Sequence, residues 1–427
     1  MQDVYYHAID KNLKELITKT KDFYTILQEI KGVHPIEIRR SLDRLYKDCS
    51  INKSEYDDII LSSKTKVSRD EDINEYLLPL PHQIDYDWRF SSNGIAVFFN
   101  RINKIIESEN IKKVVFIGSP SLFRFYTKHN NQGIKFYLID FNANKHLRSE
   151  SLEQNFNIIN CNVNYDMPDN VDYKMIKANL VIMDPPWYVE YYKKFFDICS
   201  DICDSICLVC GVFPPVLTRD TILAERNEIS NYISEYGFDK LSFEQHIIEY
   251  STPPFEINVL RINNILNYPL NWRVGDFFYT RRINLMQNLI EKSFVSVRDT
   301  SWFEVSVGKI RIKCKQESIK LDDLFNISLR SIYPDNIYPS VSRRYIGSQD
   351  INVWTSGNRV FCCTNIPLLT EIIQEINNPN IVLFLEREYN ISLTEIQKKA
   401  IIEVQGMIKN VIEIEEGETR KWNTYEI

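Results

Sequence analysis

Apolar residues recur at helical spacing through residues 1–80, in DKNLKELITKTKDFYTILQEI, in HPIEIRRSLDRLYKDCSI and again from Asn52 to Leu61. Three helices and a short extended tail are the pattern of a winged-helix unit, with Arg39, Arg40 and Arg44 on the expected recognition helix. Glu37, Asp43 and Asp48 are interleaved with those arginines, which favours a packing or protein-contact role for that helix. The polar run SSKTKVSRDEDINE reads as a linker or as the loop of the wing. LLPLPHQIDYDWRF then leads into SSNGIAVFFNRINKIIES, a helix with a Ser/Asn start signal and a clear apolar stripe.

From Lys112 the period changes. KKVVFIG, KFYLIDF, FNIINCNV, ANLVIMDPPWY and SICLVCGVF are short apolar runs that read as buried strands. Helical text separates most of them, as in SPSLFRFYTKH and VEYYKKFFDICSDICD, and RDTILAERNEISNYISEYG follows the fifth. Alternation of this kind predicts right-handed crossovers and a doubly wound parallel sheet. FEQHIIEYS and EINVLRIN are expected to close it as an antiparallel strand pair. Beyond Leu266 the alternation stops. WFEVSVGKIRIKCK reads as a hairpin, VWTSGNRVFCCTNI as extended, and Ser392 with Glu395 as a capping box before IQKKAIIEVQGMIKNVI. The expected organisation is therefore a helical, winged-helix-like domain over 1–80, an α/β Rossmann-like domain over 81–266 and an α+β accessory domain over 267–427.

In an open parallel sheet the ligand sits beyond the carboxyl ends of the strands. Three of the expected strand ends carry suitable groups. After the first comes Gly118-Ser119-Pro120, where a small residue lets the backbone approach a ligand and helix-start N–H groups face it. After the second comes Asp140, a carboxylate placed to accept both hydroxyls of a ribose; a helix-cap aspartate is the plainer alternative. After the fourth comes Asp184-Pro185-Pro186-Trp187, the sharpest feature of the chain. Its prolines fix the backbone and carry no N–H, so their carbonyls are available as acceptors. A carboxylate oxygen and a proline carbonyl can together accept hydrogen bonds from one amino group and aim its lone pair. Trp187 offers a flat face to a planar substrate, with Tyr188 beside it. Asn160 and Asn162, at the end of the third strand, are candidates for hydrogen bonds to an adenine ring. Trp88 and Phe90, in DYDWRF, either touch substrate or anchor one domain on the next.

The order of a Ser/Pro loop, an acidic second tip and an Asp-Pro-Pro-aromatic loop resembles the class I methyltransferases that act on amines. The closer likeness, over roughly 85–262, is to the N6-adenine methyltransferase family, some of whose eukaryotic members methylate a lysine of elongation factor 1A. The resemblance implies S-adenosylmethionine as methyl donor, Asp184–Trp187 as the target-amine loop, and Gly118, Ser119, Pro120, Asp140, Asn160 and Asn162 as the donor site. Tryptophan at 187 is the residue of messenger-RNA adenosine methyltransferases, whereas the lysine enzymes tend to tyrosine or phenylalanine there. A winged-helix start followed by Asp85–Phe90 and an Asp-Pro-Pro core is also similar to the branched-chain polyamine synthases, which transfer aminopropyl groups. Their acidic loop after the first strand is replaced here by Gly118-Ser119-Pro120-Ser121, which weakens that likeness. A methyltransferase fold that has lost catalysis and serves as a scaffold is the reading from another class.

Composition narrows the surroundings. The net charge is −7 over 427 residues, which argues against a surface coated for non-specific nucleic-acid binding but not against a local basic groove. The start is polar and mixed in charge, unlike a secretory signal, and no stretch is apolar enough to span a bilayer. Nine cysteines without a disulfide framework complete the expectation of a cytoplasmic protein. Cys199, Cys203, Cys207 and Cys210 fall on an expected helix and the strand after it, which breaks a single ligand face, so they are read as buried thiols and no metal is expected. A nucleic acid or a protein is the expected partner, and neither a membrane nor a particular oligomeric state is implied.

Overall fold

The computed structural model describes residues 2–65, 78–129, 133–141, 155–161, 175–283, 302–316, 324–341 and 350–420. It divides into two compact units. The first comprises Met1–Tyr76, Trp88–Thr252 and Asn264–Arg298; the second comprises Leu77–Asp87, Pro253–Asn263 and Asp299–Ile427. Among the described residues no helix is long and apolar enough to cross a membrane.

The first unit begins with four helices, α1 (Gln2–Ile17), α2 (Phe23–Glu29), α3 (Pro35–Lys47) and α4 (Lys53–Lys64). The wing expected after them falls on residues 66–77, outside the described residues. Arg39 and Arg44 are held by acids of the same bundle: Arg44 binds the Asp10 carboxylate at 2.7 Å, and Arg39 lies 3.8 Å from Asp43. These helices are part of the same unit as the sheet rather than a domain ending at residue 80. The Ser63 carbonyl accepts from the Leu266 N–H at 2.8 Å, and the His34 ring meets the Trp272 ring edge-on at 4.9 Å.

The sheet has eight strands: β1 (Arg89–Phe90), β2 (Lys113–Ile117), β3 (Lys135–Asp140), β4 (Phe156–Asn160), β5 (Ala178–Met183), β6 (Cys203–Phe213), β7 (Ser242–Ser251) and β8 (Val274–Arg282), in the order β1-β7-β8-β6-β5-β2-β3-β4. β4, β3, β2, β5 and β6 are parallel, and β8 runs antiparallel to both of its neighbours, β6 and β7. Val114–Ile117 and Leu180–Met183 are buried on both faces, as central parallel strands must be. Around the sheet lie α5 (Ser92–Glu109), α6 (Pro120–Lys128), α7 (Val189–Ile202) and α8 (Ile222–Ser234). The Ser91 hydroxyl caps α5 by accepting from the Gly94 N–H at 2.9 Å. Gly94 is required there, because a Cβ would lie 2.2 Å from the Glu249 carbonyl oxygen of β7. The α/β core expected from the sequence is thus present, with β8 inserted antiparallel between β6 and β7 and the short β1 antiparallel at the edge beside β7.

Three expectations change. EINVLRIN is not a strand: α9 (Pro254–Ile262) occupies it, started by Pro254 in the first helical turn, where a missing N–H costs nothing. The partner of β7 is β8, which lies beyond the boundary expected at 266 and belongs to the large sheet. The capping box of the last helix sits two residues later than expected, with Thr394 and Gln397 bonding reciprocally.

The second unit is α+β. Strands β9 (Trp302–Val307), β10 (Ile310–Lys315), β11 (Leu329–Ser331), β12 (Val353–Thr355) and β13 (Val360–Cys363) form an antiparallel sheet in the order β11-β13-β12-β10-β9. The predicted hairpin over 302–315 is β9–β10. Helices α10 (Ile366–Gln374), α11 (Ile381–Glu388) and α12 (Glu395–Glu418) supply most of the apolar cover. Arg311, 4 % exposed, is bound by Asp85 and Glu304, and Lys313 by Asp85, so the residues before Trp88 are tied to this sheet.

Candidate active site at the strand tips

Strand register brings the predicted residues to one level. Ile117 of β2 pairs with Ile139 of β3 and with Met183 of β5, and Asp140 pairs with Asn160 of β4. Gly118, Asp140 and Asp184 are therefore the next residues out at three adjacent tips. Neighbouring strands lie about 4.8 Å apart, so Asp140 and Asp184 flank Gly118 at opposite sides, roughly 10 Å from each other.

The β2 tip turns sharply. Gly118 has φ +62°, in the left-handed region, and its N–H donates to the Ile139 carbonyl at 3.0 Å. A Cβ on Gly118 would lie 3.1 Å from the Phe195 ring and 3.7 Å from the Asp184 carbonyl oxygen. The Ser119 hydroxyl turns back to the Ile117 carbonyl at 3.2 Å, and Pro120 opens α6. Ser119 is thereby held as a structural turn, and the unbranched backbone at Gly118 is the surface left for a ligand. Asp140 is half-buried. Asn160 is exposed; with its amide turned so that the nitrogen faces the backbone, it donates to the Asp140 and Phe141 carbonyls at 3.2 and 2.6 Å and fastens the second tip. Asn162 lies outside the described residues.

The Asp184–Trp187 loop is pinned at each residue that carries a polar group. The Asp184 N–H continues the ladder to the Ile117 carbonyl at 3.4 Å. The Pro186 carbonyl accepts from the Tyr188 N–H at 2.7 Å, which starts α7. The Trp187 carbonyl accepts from Arg219 at 2.9 Å, and Arg219 is itself bound by Glu225. The Asp184 carboxylate accepts from the Tyr250 hydroxyl at 2.7 Å on Oδ1. Tyr250 is 1 % exposed, and burial first, then the Asp184 charge, push its phenol well above the ordinary tyrosine value. It therefore keeps its proton, and acts as a donor, at neutral pH.

Rings complete the wall. Arg273 is sandwiched between Trp88 and Trp187, its guanidinium carbon 4.0 and 3.8 Å from the two ring centres. One face of Trp187 is thus covered by a cation, and Tyr250 meets it edge-on at 5.7 Å. Trp88, Trp187 and Tyr188 are all half-buried at this rim. Phe90 does not join them: it is 1 % exposed, in the core, stacked at 4.8 Å behind Tyr250. Its role is to support Tyr250, because β1 pairs Phe90 directly with Tyr250.

Tyr250, Arg273 and Arg219 were not among the residues that the sequence offered. Each reaches the loop over long separations in the chain, and none stands in a recognisable motif. The cysteines behave as ordinary buried groups: Cys199 lies on α7 and Cys203, Cys207 and Cys210 on β6, all free thiols. Among the described residues no three His, Cys, Asp or Glu side chains converge as metal ligands.

Residues 85–243 match the family model described as probable N6-adenine methyltransferase. No curated protein matches the chain. Among solved structures the chain is similar to the branched-chain polyamine synthase of Thermus thermophilus, at 9 % identity and TM-score 0.47 over 67 % of this chain and 90 % of that one. It is also similar to an S-adenosylmethionine-dependent methyltransferase of Aquifex aeolicus, at 13 % identity and TM-score 0.26 over 42 % of this chain and 88 % of that one. The matched segment holds the tips of β2, β3 and β5, with Gly118, Asp140 and the Asp-Pro-Pro-Trp loop, and it is over that segment that the chain is similar to the family.

Proposed function

We propose that the protein transfers a methyl group from S-adenosylmethionine to an exocyclic amine of a nucleic-acid base, with adenine N6 as the target. The observation that carries this is the immobilised loop. Asp184 accepts from Tyr250 at 2.7 Å and the Pro186 carbonyl accepts from Tyr188, and the Asp184 carboxylate with the Pro185 carbonyl is the pair assigned to the amine. Gly118 offers bare backbone and Asp140 a carboxylate at the neighbouring tips, which suits a nucleoside-bearing donor. When bound, that donor supplies a methyl group on a sulfonium, an electrophile that needs no further activation.

The chain's own residues then do three things. Asp184 and Pro185 accept the two amine hydrogens, drawing the nitrogen lone pair out of the ring and toward the methyl group. Trp187 stacks on the base. As the N–C bond forms and the S–C bond breaks, positive charge develops on nitrogen beside the Asp184 carboxylate, which takes the departing proton and passes it to water. The partner is accordingly a nucleic acid presenting an unpaired base. None of the nine cysteines is disulfide-bonded, which suits a reducing compartment, and the cytoplasm is part of the proposal.

The test is methyl transfer from isotopically labelled S-adenosylmethionine to single-stranded DNA, to RNA and to total protein, with Asp184→Ala as control. Label in N6-methyladenine that vanishes with the variant supports the reading. Label in lysine, or turnover only with the decarboxylated donor and a polyamine, overturns it.

A further inference from the structure

We propose that Cys203 and Cys207 form an oxidation site, in which peroxide converts the Cys203 thiol to a sulfenic acid and Cys207 closes on it as a disulfide across a bulge in β6. Strand register brings the two cysteines together. Ala178 of β5 pairs with Cys203 of β6 and Leu180 with Leu208, so β6 spends five residues where β5 spends two. Cys203 and Leu208 therefore stand about 7 Å apart, the span of two strand residues. Cys207 is drawn back beside Cys203, in place of the roughly 13 Å that four extended residues would cover. Such a separation suits a disulfide, whose Cα atoms lie about 4.4–6.8 Å apart. The surplus chain bows outward, with Ser205 exposed and Ile206 65 % exposed. The bulge lies at the Ala178 end of β5, about 17 Å along the strand from Met183 at the candidate active site.

The surroundings make Cys203 the attacking sulfur. Its backbone N–H donates to the Cys199 carbonyl where α7 ends, and the thiols of Cys199 and Cys207 both hydrogen-bond to its sulfur. Arg282 of β8 is the cross-strand partner of Cys207 and is 5 % exposed. Its guanidinium donates to the Ser200 carbonyl at 3.1 Å, and among the described residues no carboxylate forms an ion pair with it. A Cys203 thiolate supplies an anion to that buried cation. Burial raises the Cys203 thiol, but the two neighbouring thiols and then the Arg282 charge lower it by more, against the Asp204 carboxylate, so it sits below the ordinary value of 9.0. Burial first, then the bond to Cys203 and its charge, push Cys199 and Cys207 well above that value. Access follows the same order: Cys203 is 9 % exposed, and Cys199, Cys207 and Cys210 are 0 % exposed. The thiolate attacks one peroxide oxygen, the O–O bond breaks and hydroxide leaves. Cys207 then attacks the Cys203 sulfur, its proton departs with the hydroxyl as water, and two electrons have passed from the thiol pair to the peroxide.

The test is mild oxidation of the full chain with hydrogen peroxide, then alkylation of the remaining thiols in denaturant. Tandem mass spectrometry follows on the tryptic peptide Phe195–Arg219, which carries Cys199, Cys203, Cys207 and Cys210. A bridge between Cys203 and Cys207 is expected, with Cys199 and Cys210 alkylated, and dithiothreitol should reverse it. Cys207→Ser should halt at a sulfenic acid on Cys203 that dimedone traps, and Cys203→Ser should leave the other three thiols of the peptide reduced. The pH dependence of the wild-type rate tests the thiolate without asking any variant to fold. Between pH 8 and pH 6 a free thiol such as glutathione slows about 100-fold, whereas Cys203 should slow by less than about tenfold. A bridge from Cys203 to Cys199 overturns the inference. So does oxidation spread evenly over the nine cysteines, or a Cys203 rate that falls with pH as that of glutathione does. None of these measurements involves methyl transfer, so the proposed function stands or falls separately.

Discussion

Replacing Gly118 with alanine tests whether the first strand tip is shaped for a ligand or is only a turn. Two costs can be worked from the structure. At φ +62° an alanine pays the left-handed penalty, about 1–2 kcal/mol. Its Cβ also lies 3.1 Å from two atoms of the Phe195 ring, and Phe195 is 2 % exposed, so the ring must shift by a few tenths of an ångström inside a packed core. That adds about 1 kcal/mol, the low end of overpacking costs. The sum, about 2–3 kcal/mol, corresponds to a Tm lower by about 5–10 °C for a unit of this size. Gly133 supplies the control, since it has φ +85° with nothing within 4 Å of its virtual Cβ. Gly133→Ala should show the backbone penalty alone. The two variants should diverge further in calorimetric binding of S-adenosylmethionine. Gly118→Ala displaces the tip and presses toward the Asp184 carbonyl at 3.7 Å, so donor affinity should fall about tenfold or more, or at least ~1.4 kcal/mol. Gly133→Ala should bind as wild type. Equal Tm losses with unchanged donor affinity in both would show that Gly118 is an ordinary turn glycine, and the donor site would have to be sought elsewhere.

Asp140→Ala should weaken S-adenosylmethionine about 100-fold or more, the worth of one to two hydrogen bonds between a carboxylate and ribose hydroxyls, while Tm stays within about 2 °C; unchanged affinity would remove Asp140 from the donor site. Arg273→Met should separate Trp88 from Trp187, lowering stability in urea by about 1–3 kcal/mol for two cation–aromatic contacts and shifting the tryptophan emission; an unaltered spectrum and midpoint would refute the sandwich. In the second unit, burial alone would raise the Glu304 carboxyl. The Arg311 guanidinium, by charge and hydrogen bond, and the Lys313 ammonium outweigh it and hold it below the ordinary value of 4.5. A lowered folded value means that its stabilisation is present above pH 4.5 and is lost as pH falls through the folded value. Glu304→Gln should therefore lose stability at pH 7 and show a flatter decline below pH 4.5 than wild type by thermal melts; parallel curves would show that Glu304 contributes nothing to acid sensitivity.

The residues legible in the sequence and those that escaped it differ in one physical respect. Gly118, Asp140 and Asp184 follow short runs that are buried on both faces, and parallel pairing forces the ends of such runs to one edge of the sheet. Their proximity follows from local pattern plus topology, so sequence order suffices to find them. Tyr250 and Arg273 reach the same cleft through the antiparallel β7–β8 pairing, and the register of that pair contains a shift between Glu244 and Ile248. A bulge moves every later side chain by an amount that alternation cannot supply. FEINVLRIN hid the true partner as well. Ile257, Val259 and Arg261 alternate like a strand, yet Phe255, Val259 and Leu260 line one buried side of a helix, and Pro254 was the signal that should have decided between them. With that segment helical, β7 has only the two-residue β1 on one side before Val274, and β8 joins it to the rest of the sheet by lying between β6 and β7. The insertion brings the Arg273 carbonyl to the Tyr250 N–H. The aromatic and cationic wall beside the strand tips is thus a consequence of the inserted strand β8, which the pattern of alternating elements did not reveal.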